Sequence, residues 1–350
     1  PVFGGVRGKN HRGILPTGET AQFILAGNDL DRRLAVQALF RPDHWFATEN
    51  ILKLEEVPDG EPLMSGRLLL DGEWLEKLTT GQVSAPRFST RFPAEPLTTE
   101  LTWDDLVLPD HTYAQIQELL TWVNHHATIK AEWNLARHLK PGYRALFHGP
   151  PGTGKTLTAS LLGLSTKLPV FRVDLSMVIS KYIGETEKNL AALFDKASHK
   201  DWILFFDEAD ALFGKRTEVR DAHDKYANQE VSYLLQRVES YPGLVILASN
   251  FRSNVDTAFA RRFQSIIHFP FPKPLQRLEL WKSMLPADIQ LDPEIDLEAI
   301  ARQYELNGSN IVNVVQYCVL QLMAKGQQRL SPAMLLEGIR REYAKEDRLT

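Results

Sequence analysis

The chain has 350 residues, 43% of them hydrophobic, one cysteine and a formal net charge of −4 at pH 7, and its length predicts two or three domains. The slightly acidic balance argues against bulk attraction to nucleic acid or to an anionic membrane. The single cysteine excludes an internal disulfide, no apolar run approaches the length of a membrane span and no secretory signal is visible, so we predict a cytoplasmic protein without a membrane partner.

The first 81 residues predict a small module behind a lead-in. Residues 1–18 show no clear period and predict a flexible segment. A helical pattern, two strand patterns and a short helix follow at Glu19–Phe40, Ile51–Val57, Arg67–Leu70 and Glu73–Leu78, with Leu30, Leu34, Leu39 and Phe40 as inward positions. Helices followed by a hairpin indicate an α+β, winged-helix-like module at 19–81, which we expect to dock a partner. DNA binding is the alternative, although no basic stripe is present.

Residues 82–102 contain Pro86, Pro93 and Pro96 and predict a linker to a second domain at 103–270. In this domain strand and helix patterns alternate, and the five strands are predicted at Tyr143–Phe147, Val170–Val173, Ile203–Phe206, Leu244–Ala248 and Ser265–Phe269. This alternation predicts an α/β fold with a five-stranded parallel sheet that helices cover on both faces. Two covering helices carry apolar stripes, at Leu190, Leu193, Phe194, Ala197 and at Val231, Leu234, Leu235, Val238.

Beyond Pro270 we expect helices and no strands. Four helical patterns lie at Leu275–Leu285, Leu297–Tyr304, Ile311–Met323 and Pro332–Tyr343. They predict a small all-helical lid domain at 271–350, placed where it could close over a ligand.

The strongest chemical signal is a loop that matches the phosphate-binding pattern G-x-x-x-x-G-K-[ST]. It lies between a predicted strand and a predicted helix and reads Gly149-Pro150-Pro151-Gly152-Thr153-Gly154-Lys155-Thr156. Its glycines let backbone N–H groups converge on one anion, Lys155 can reach the outer phosphates, and the Thr156 hydroxyl can hold Mg²⁺. We assign these eight residues and the following Leu157 to a nucleotide site.

Carboxylates follow a second buried strand. Asp207 and Glu208 come directly after Ile203–Phe206, at the carboxyl edge where parallel sheets bind ligands. We predict that Asp207 holds the magnesium ion and that Glu208 orients and deprotonates an attacking water. Asp210 is predicted to be structural.

Two further polar features accompany the later strands. Asn250 follows Leu244–Ala248 and either positions the attacking water or forms an ordinary turn. Arg261 and Arg262 precede the last strand and either stabilise developing phosphoryl charge or form a solvated pair. Spacing alone leaves both alternatives open.

Taken together, these motifs resemble those of AAA+ ATPases of the classical AAA branch, over about residues 100–345. The resemblance implies a homo-oligomeric ring, usually a hexamer, that binds ATP and Mg²⁺ between subunits. It implies that Lys155 and Thr156 form the first Walker motif, that Asp207 and Glu208 form the second, and that Asn250 is sensor 1. Arg261 and Arg262 match arginine fingers that act on the neighbour's nucleotide. Gly308 begins the third lid helix, which carries no sensor-2 arginine, and we include it in the nucleotide site.

A second resemblance concerns the substrate. Lys181, Tyr182 and Ile183 match the first pore loop of polypeptide-translocating AAA proteins, in which the aromatic residue grips extended chain. By its sequence alone Tyr182 could equally pack beneath its loop. The charged stretch 214–225 forms either a second pore loop or a solvated loop.

The resemblance therefore implies an ATP-hydrolysing remodeller or translocase of polypeptide. The alternatives are a nucleic-acid-dependent motor and an assembly scaffold with little hydrolysis, and the presence of Glu208 and both arginines disfavours the scaffold. The wording of Trp202–Glu218, His223–Glu239 and Pro242–Pro270 is also similar to bacterial AAA proteins encoded with phage-tail-like contractile injection systems. That similarity implies a component or cargo of such a particle as substrate.

Overall fold

The computed structural model describes residues 3–8, 12–82, 88–89, 92–132, 141–175, 185–210, 232–250 and 260–345. Its contacts divide the chain into two compact units, Pro1–Pro86 and Arg87–Thr350. The division falls inside residues 82–102, the segment predicted as a linker.

The first unit is an α+β module, as predicted. Its elements are β1 (Val6–Arg7), β2 (Ile14–Leu15), α1 (Gly18–Ala26), α2 (Leu30–Gln37), α3 (Trp45–Thr48), β3 (Leu52–Leu54), β4 (Leu68–Leu70) and α4 (Gly72–Thr80). Strands β3 and β4 form the predicted antiparallel hairpin, with Leu52 opposite Leu70. The likeness of this module to a winged helix stays a prediction.

The details of the first unit correct three expectations. The lead-in forms a hairpin where it is described, because β1 pairs with β2 and the Gly5 N–H donates to Thr17 Oγ1 at 3.1 Å. The helical stretch breaks in two because Gly27 adopts φ 58° and Asp29 caps α2. Leu30 and Leu34 are exposed because the residue that α2 buries is Val36.

The second unit is built on a central sheet. Its elements up to the lid are β5 (Ala94–Pro96), α5 (Asp110–Glu132), β6 (Tyr143–His148), α6 (Lys155–Thr166), β7 (Val170–Val173), α7 (Glu185–His199), β8 (Ile203–Phe206), α8 (residues 232–240), β9 (Leu244–Ser249) and β10 (Ser265–His268). Strands β6 to β10 are parallel and lie where they were predicted, in the order β10-β6-β9-β8-β7. The α/β fold and its parallel core are confirmed.

The predicted number of strands is wrong. Within the described residues the sheet has six strands, because β5 pairs antiparallel with β7 and places Ala94 opposite Val173. This strand comes from the segment predicted as a linker, where prolines argued against a strand. An edge strand tolerates Pro93 and Pro96 because only one of its sides has to donate to a neighbour.

Helices cover both faces of the sheet. One face packs against α7 and α8 through Leu190, Leu193, Phe194, Ala197, Leu234 and Val238, which confirms most of the two predicted stripes. Leu235 is only partly buried, and Val231 lies outside the described residues. The other face packs against α5 and α6 through Ile116, Leu119, Val123, Ala159 and Leu162. The carboxyl edge is therefore left for a ligand.

The lid contains the four predicted helices. Its elements are α9 (Pro274–Met284), β11 (Gln290–Leu291), α10 (Leu297–Gln303), α11 (Gly308–Lys325), β12 (Arg329–Leu330) and α12 (Pro332–Lys345). The expectation of helices alone is wrong, because β11 and β12 form a short parallel pair that ties two helix connections together. Cys318 lies in the lid core beside Ile311 and Val314, and burial raises its pKa to about 11. Across the described ranges, no helix combines the length and the apolar character that a membrane span requires.

Candidate active site

The loop between β6 and α6 requires glycine at two of its positions. A Cβ atom at Gly149 would lie 2.0 Å from the Phe269 carbonyl oxygen, and Gly154, which caps α6, has φ 97°. The Thr153 hydroxyl donates to the Pro150 carbonyl at 2.8 Å and holds the turn in shape. The free N–H groups of the first turn of α6 face this loop, which is the arrangement that binds phosphate in many proteins.

Lys155 is held inside the loop. Its side chain is buried, and its ammonium group donates to the carbonyls of Gly149 at 2.7 Å and Pro150 at 2.9 Å. A third bond, of 3.1 Å, joins it to Asn250 Oδ1. Burial lowers the pKa of Lys155, while the carboxylates of Asp207 and Asp210 act in the opposite direction. A phosphate group would offer this ammonium stronger, charged acceptors than carbonyl groups.

The carboxylates stand beside the loop, as predicted. Thr156 Oγ1 donates to Asp207 Oδ2 over 3.4 Å, so a hydroxyl and a carboxylate oxygen meet at the start of α6. These are the hard oxygen ligands that Mg²⁺ takes together with phosphate, so the residues fit a magnesium–nucleotide complex. Glu208 is exposed and lines the same cavity, with its backbone at φ 50° and its N–H donating to Asp207 Oδ1 at 3.0 Å.

Asp210 holds Asn250 in place, a role that sequence reasoning missed. The Ser249 hydroxyl donates to Asp210 Oδ1, and the Asn250 N–H donates to Asp210 Oδ2 at 3.2 Å. One carboxylate thereby joins the turn after β8 to the end of β9. The available signal was that both strands end at the same edge of a parallel sheet, which brings their following residues together.

We expect Asp210→Ala to lower kcat for ATP hydrolysis by about ten- to a hundredfold, because a small displacement of a positioning group is costly in catalysis. Asp210→Asn should restore most of the activity, since its amide oxygen can accept from the Asn250 N–H and its NH₂ can face the Ser249 hydroxyl. Steady-state kinetics of the two variants test this. Equal loss in both would show that the charge of Asp210, rather than its hydrogen bonds, matters.

A cavity of about 930 Å³ extends from the phosphate loop between the sheet edge and the lid. Its polar end includes Pro151 to Leu157, Asp207, Glu208 and Asn250. Its remaining wall is largely apolar and includes Leu106, Val107, Pro109, Leu280, Met284 and Val315. A polar end that fits phosphates and an apolar end that fits a flat base suit a nucleotide. Sequence reasoning missed the apolar wall, because short apolar stretches carry no ligand signal.

The lid contacts the phosphate loop directly. Asn307 Nδ2 donates to the Pro151 carbonyl at 3.1 Å, and a Cβ atom at Gly152 would lie 2.6 Å from Asn307 Oδ1. Gly308 lines the cavity next to this contact, where the sequence analysis had assigned it. Asn307 was not singled out from the sequence, because an N-cap asparagine is an ordinary helix signal.

The structure places the two arginines far from the cavity of their own chain. They precede β10, and the Gln264 N–H still bonds to the Arg144 carbonyl at the amino end of β6. Along the strands that end lies four residues, or about 13 Å, from His148, the residue before the phosphate loop. Arg261 is exposed, and Arg262 pairs with Glu239. Lys181, Tyr182 and Ile183, like residues 214–225, lie outside the described residues.

Comparison with known proteins places this site in a family. A model of the family described as "ATPase family associated with various cellular activities (AAA)" matches residues 145–271. The chain carries an AAA ATPase domain. The matched stretch of this AAA domain contains Lys155, Thr156, Asp207, Glu208 and Asn250, and the P-loop α/β core has the topology that the sequence predicted.

Two kinds of relative resemble the AAA domain and its surroundings. A katanin p60 ATPase-containing protein of Homo sapiens, of the A-like 1 type, is 34% identical over 207 residues, which cover 55% of this chain and 41% of that protein. The proteasome-activating nucleotidase of Aeropyrum pernix is 31% identical over 218 residues, which cover 60% of this chain and 53% of that protein. The chain thus spans about half, or less, of the length of these relatives.

Proposed function

We propose that this chain is a ring-forming AAA+ ATPase that hydrolyses ATP to ADP and phosphate and uses the energy to remodel or thread polypeptide. The observation that carries the proposal is the convergence, in one cavity, of a phosphate loop, a hydroxyl–carboxylate pair, a second carboxylate and an amide. These are the groups that phosphoryl transfer to water requires, because such catalysis consists mainly of positioning and electrostatic stabilisation.

Each group has a distinct task in this proposal. Lys155 and the N–H groups at the start of α6 bind the phosphates. Thr156 and Asp207 hold Mg²⁺, which neutralises phosphate charge when bound. Glu208, exposed in the cavity, accepts a proton from the attacking water. Asn250, fixed by Asp210 and bonded to Lys155, orients that water.

A ring of identical subunits completes the site. Arg261 and Arg262 lie at the amino edge of the sheet, and the cavity lies at the carboxyl edge, so they do not line their own cavity. A head-to-tail contact between copies would bring the amino edge of one subunit to the cavity of the next, and repeated contacts of that kind close into a ring. We propose a hexamer and assign the arginines to the neighbour's nucleotide.

The substrate assignment rests on resemblance. The match of Lys181, Tyr182 and Ile183 to a pore loop supports an extended polypeptide as substrate, and the proteasome-activating nucleotidase is named for an activity on a protein assembly. The narrower proposal is that the substrate is a component or cargo of a contractile injection particle. It rests on the wording of residues 202–270 alone.

Steady-state ATP turnover tests the substrate class. We expect an unfolded protein to stimulate the wild type several-fold and to leave Tyr182→Ala at its basal rate, because the lost ring is the group that grips the chain. Tyr182→Phe is the matched control and should keep the stimulation. If stimulation survives in Tyr182→Ala, the pore-loop assignment fails.

A DNA arm in the same assay addresses the second candidate function. The winged-helix-like module at 19–81 is the feature that favours a nucleic-acid-dependent motor. We expect DNA to leave turnover unchanged. Stimulation by DNA and not by polypeptide would replace the proposed function with that alternative.

A further inference from the structure

Glu342 is a buried carboxylate on α12, behind the lid wall of the cavity. It is 5% exposed, and its Oε2 accepts from the side-chain amides of Asn310 at 3.3 Å and Asn313 at 3.1 Å, while Oε1 pairs with Lys345. Burial acts to raise the pKa of Glu342, but the donors Lys345, Asn313 and Asn310 outweigh it and hold the pKa below its ordinary value. The carboxylate is therefore ionised and can only accept hydrogen bonds.

A partner that only accepts fixes the orientation of both amides, because each must turn its NH₂ group toward Glu342. The carbonyl oxygen of Asn310 is used within the lid, where it accepts from the Asn307 N–H at 3.1 Å. Asn313 is exposed and lines the cavity. Since its NH₂ is held by Glu342, the group that it can offer to a ligand is its carbonyl oxygen.

The position of Asn313 along α11 indicates which part of a nucleotide it meets. Gly308 marks the phosphate end of this helix, because a Cβ atom there would lie 3.4 Å from the Gly152 carbonyl oxygen. Asn313 lies five residues further, or about 7.5 Å along the helix axis. Its cavity-lining neighbours Val312 and Val315 are apolar, as the wall around a base should be.

We propose that Asn313 determines base specificity by accepting a hydrogen bond from the exocyclic amino group of adenine, and that Glu342 is the positioning residue that sets its orientation. The inference rests on the proposed function, because it requires a nucleotide in the cavity. Adenine presents an N6 amino donor at the position where guanine presents the O6 acceptor. A fixed carbonyl oxygen therefore attracts the first base and repels the second.

Calorimetric binding of diphosphates tests the inference without depending on hydrolysis. The probes are ADP, GDP, purine riboside diphosphate, which lacks the amino group, and 2′-deoxy-ADP. We expect the wild type to prefer ADP to GDP. Asn313→Ala should weaken ADP by about three- to tenfold, the value of one net hydrogen bond, and should leave purine riboside diphosphate unchanged.

Glu342→Gln provides an independent arm. A glutamine can donate as well as accept, so the Asn313 amide is free to turn over and present its NH₂ to the cavity. We expect the ratio of GDP to ADP dissociation constants to fall by a similar factor, mainly through tighter GDP binding. Glu337→Gln on the same helix, whose carboxylate is exposed and pairs with Arg341, is the matched control and should leave the ratio unchanged.

Three results would overturn the inference. In the first, Asn313→Ala weakens ADP and purine riboside diphosphate equally. In the second, its effect disappears with 2′-deoxy-ADP, which would assign the carbonyl oxygen to the ribose. In the third, Glu342→Gln leaves the ratio at the wild-type value in a folded protein, as judged by its thermal unfolding. If the wild type binds none of the four probes, the proposed function itself fails.

Discussion

Glu208→Gln is expected to lower ATP turnover by about 10²- to 10⁴-fold, the range that a general base contributes, while nucleotide binding is kept. Glutamine has the same shape but cannot take a proton from water. Glu208 does not contribute to holding Lys155 or Thr156, so the phosphate loop and the magnesium ligands should stay as they are. The measurements are steady-state turnover and the dissociation constant of ATP.

The matched control for this variant is Glu298→Gln, which changes an exposed carboxylate on α10 that pairs with Arg302 one turn away. It should hydrolyse ATP at the wild-type rate. Turnover by Glu208→Gln within a few-fold of the wild type would remove Glu208 from the role of base. Loss of ATP binding together with turnover would instead assign it to holding the nucleotide.

Arg261→Ala and Lys155→Ala subunits are each expected to be inactive alone and to regain activity when mixed. An arginine finger is worth about 10³- to 10⁵-fold in rate, and Lys155 binds the phosphates, so either change should suppress turnover in a uniform ring. In a mixed ring, a subunit with an intact Lys155 can receive Arg261 from an unmodified edge of its neighbour. At equal amounts about a quarter of all sites meet both conditions if the ring is head-to-tail.

The mixing experiment needs a demonstration that the two kinds of subunit share rings, for example by co-purification of differently tagged copies. Recovery near a quarter of wild-type turnover supports fingers that act between subunits. Mixed rings without recovery would show that Arg261 acts within its own chain or not at all. Arg262 pairs with Glu239 and Arg261 is exposed, so we expect Arg261→Ala to have the larger effect of the two arginine substitutions.

The parallel core and the phosphate end of the site could be predicted because their signals are local. The strand at Ile203–Phe206 is a continuous apolar run followed at once by Asp207 and Glu208, and the loop from Gly149 to Thr156 carries its glycines at fixed spacing. Topology then does the rest, since parallel strands bring their carboxyl ends to one edge. The structure confirmed these strands with boundaries that differ by at most one residue.

The contacts that link distant segments could not be predicted in this way. The strand at Ala94–Pro96 forms only because β7 offers it an edge, and the residues around it read as a linker. Asp210 depends on Ser249 and Asn250, which lie about forty residues away in sequence. No local pattern records which distant donor a carboxylate will meet.

The sequence by itself determined the chemical groups of this protein and their order along five strands, because backbone conformation and strand burial follow from neighbouring residues. Only the tertiary structure decided how those groups are oriented. It turned the Asn313 amide by means of Glu342 and set Asn307 against Pro151. It also placed the edge that carries Arg261 away from the cavity that holds Lys155. Orientation depends on partners brought together by folding, and buried polar groups accept only arrangements in which every donor finds an acceptor.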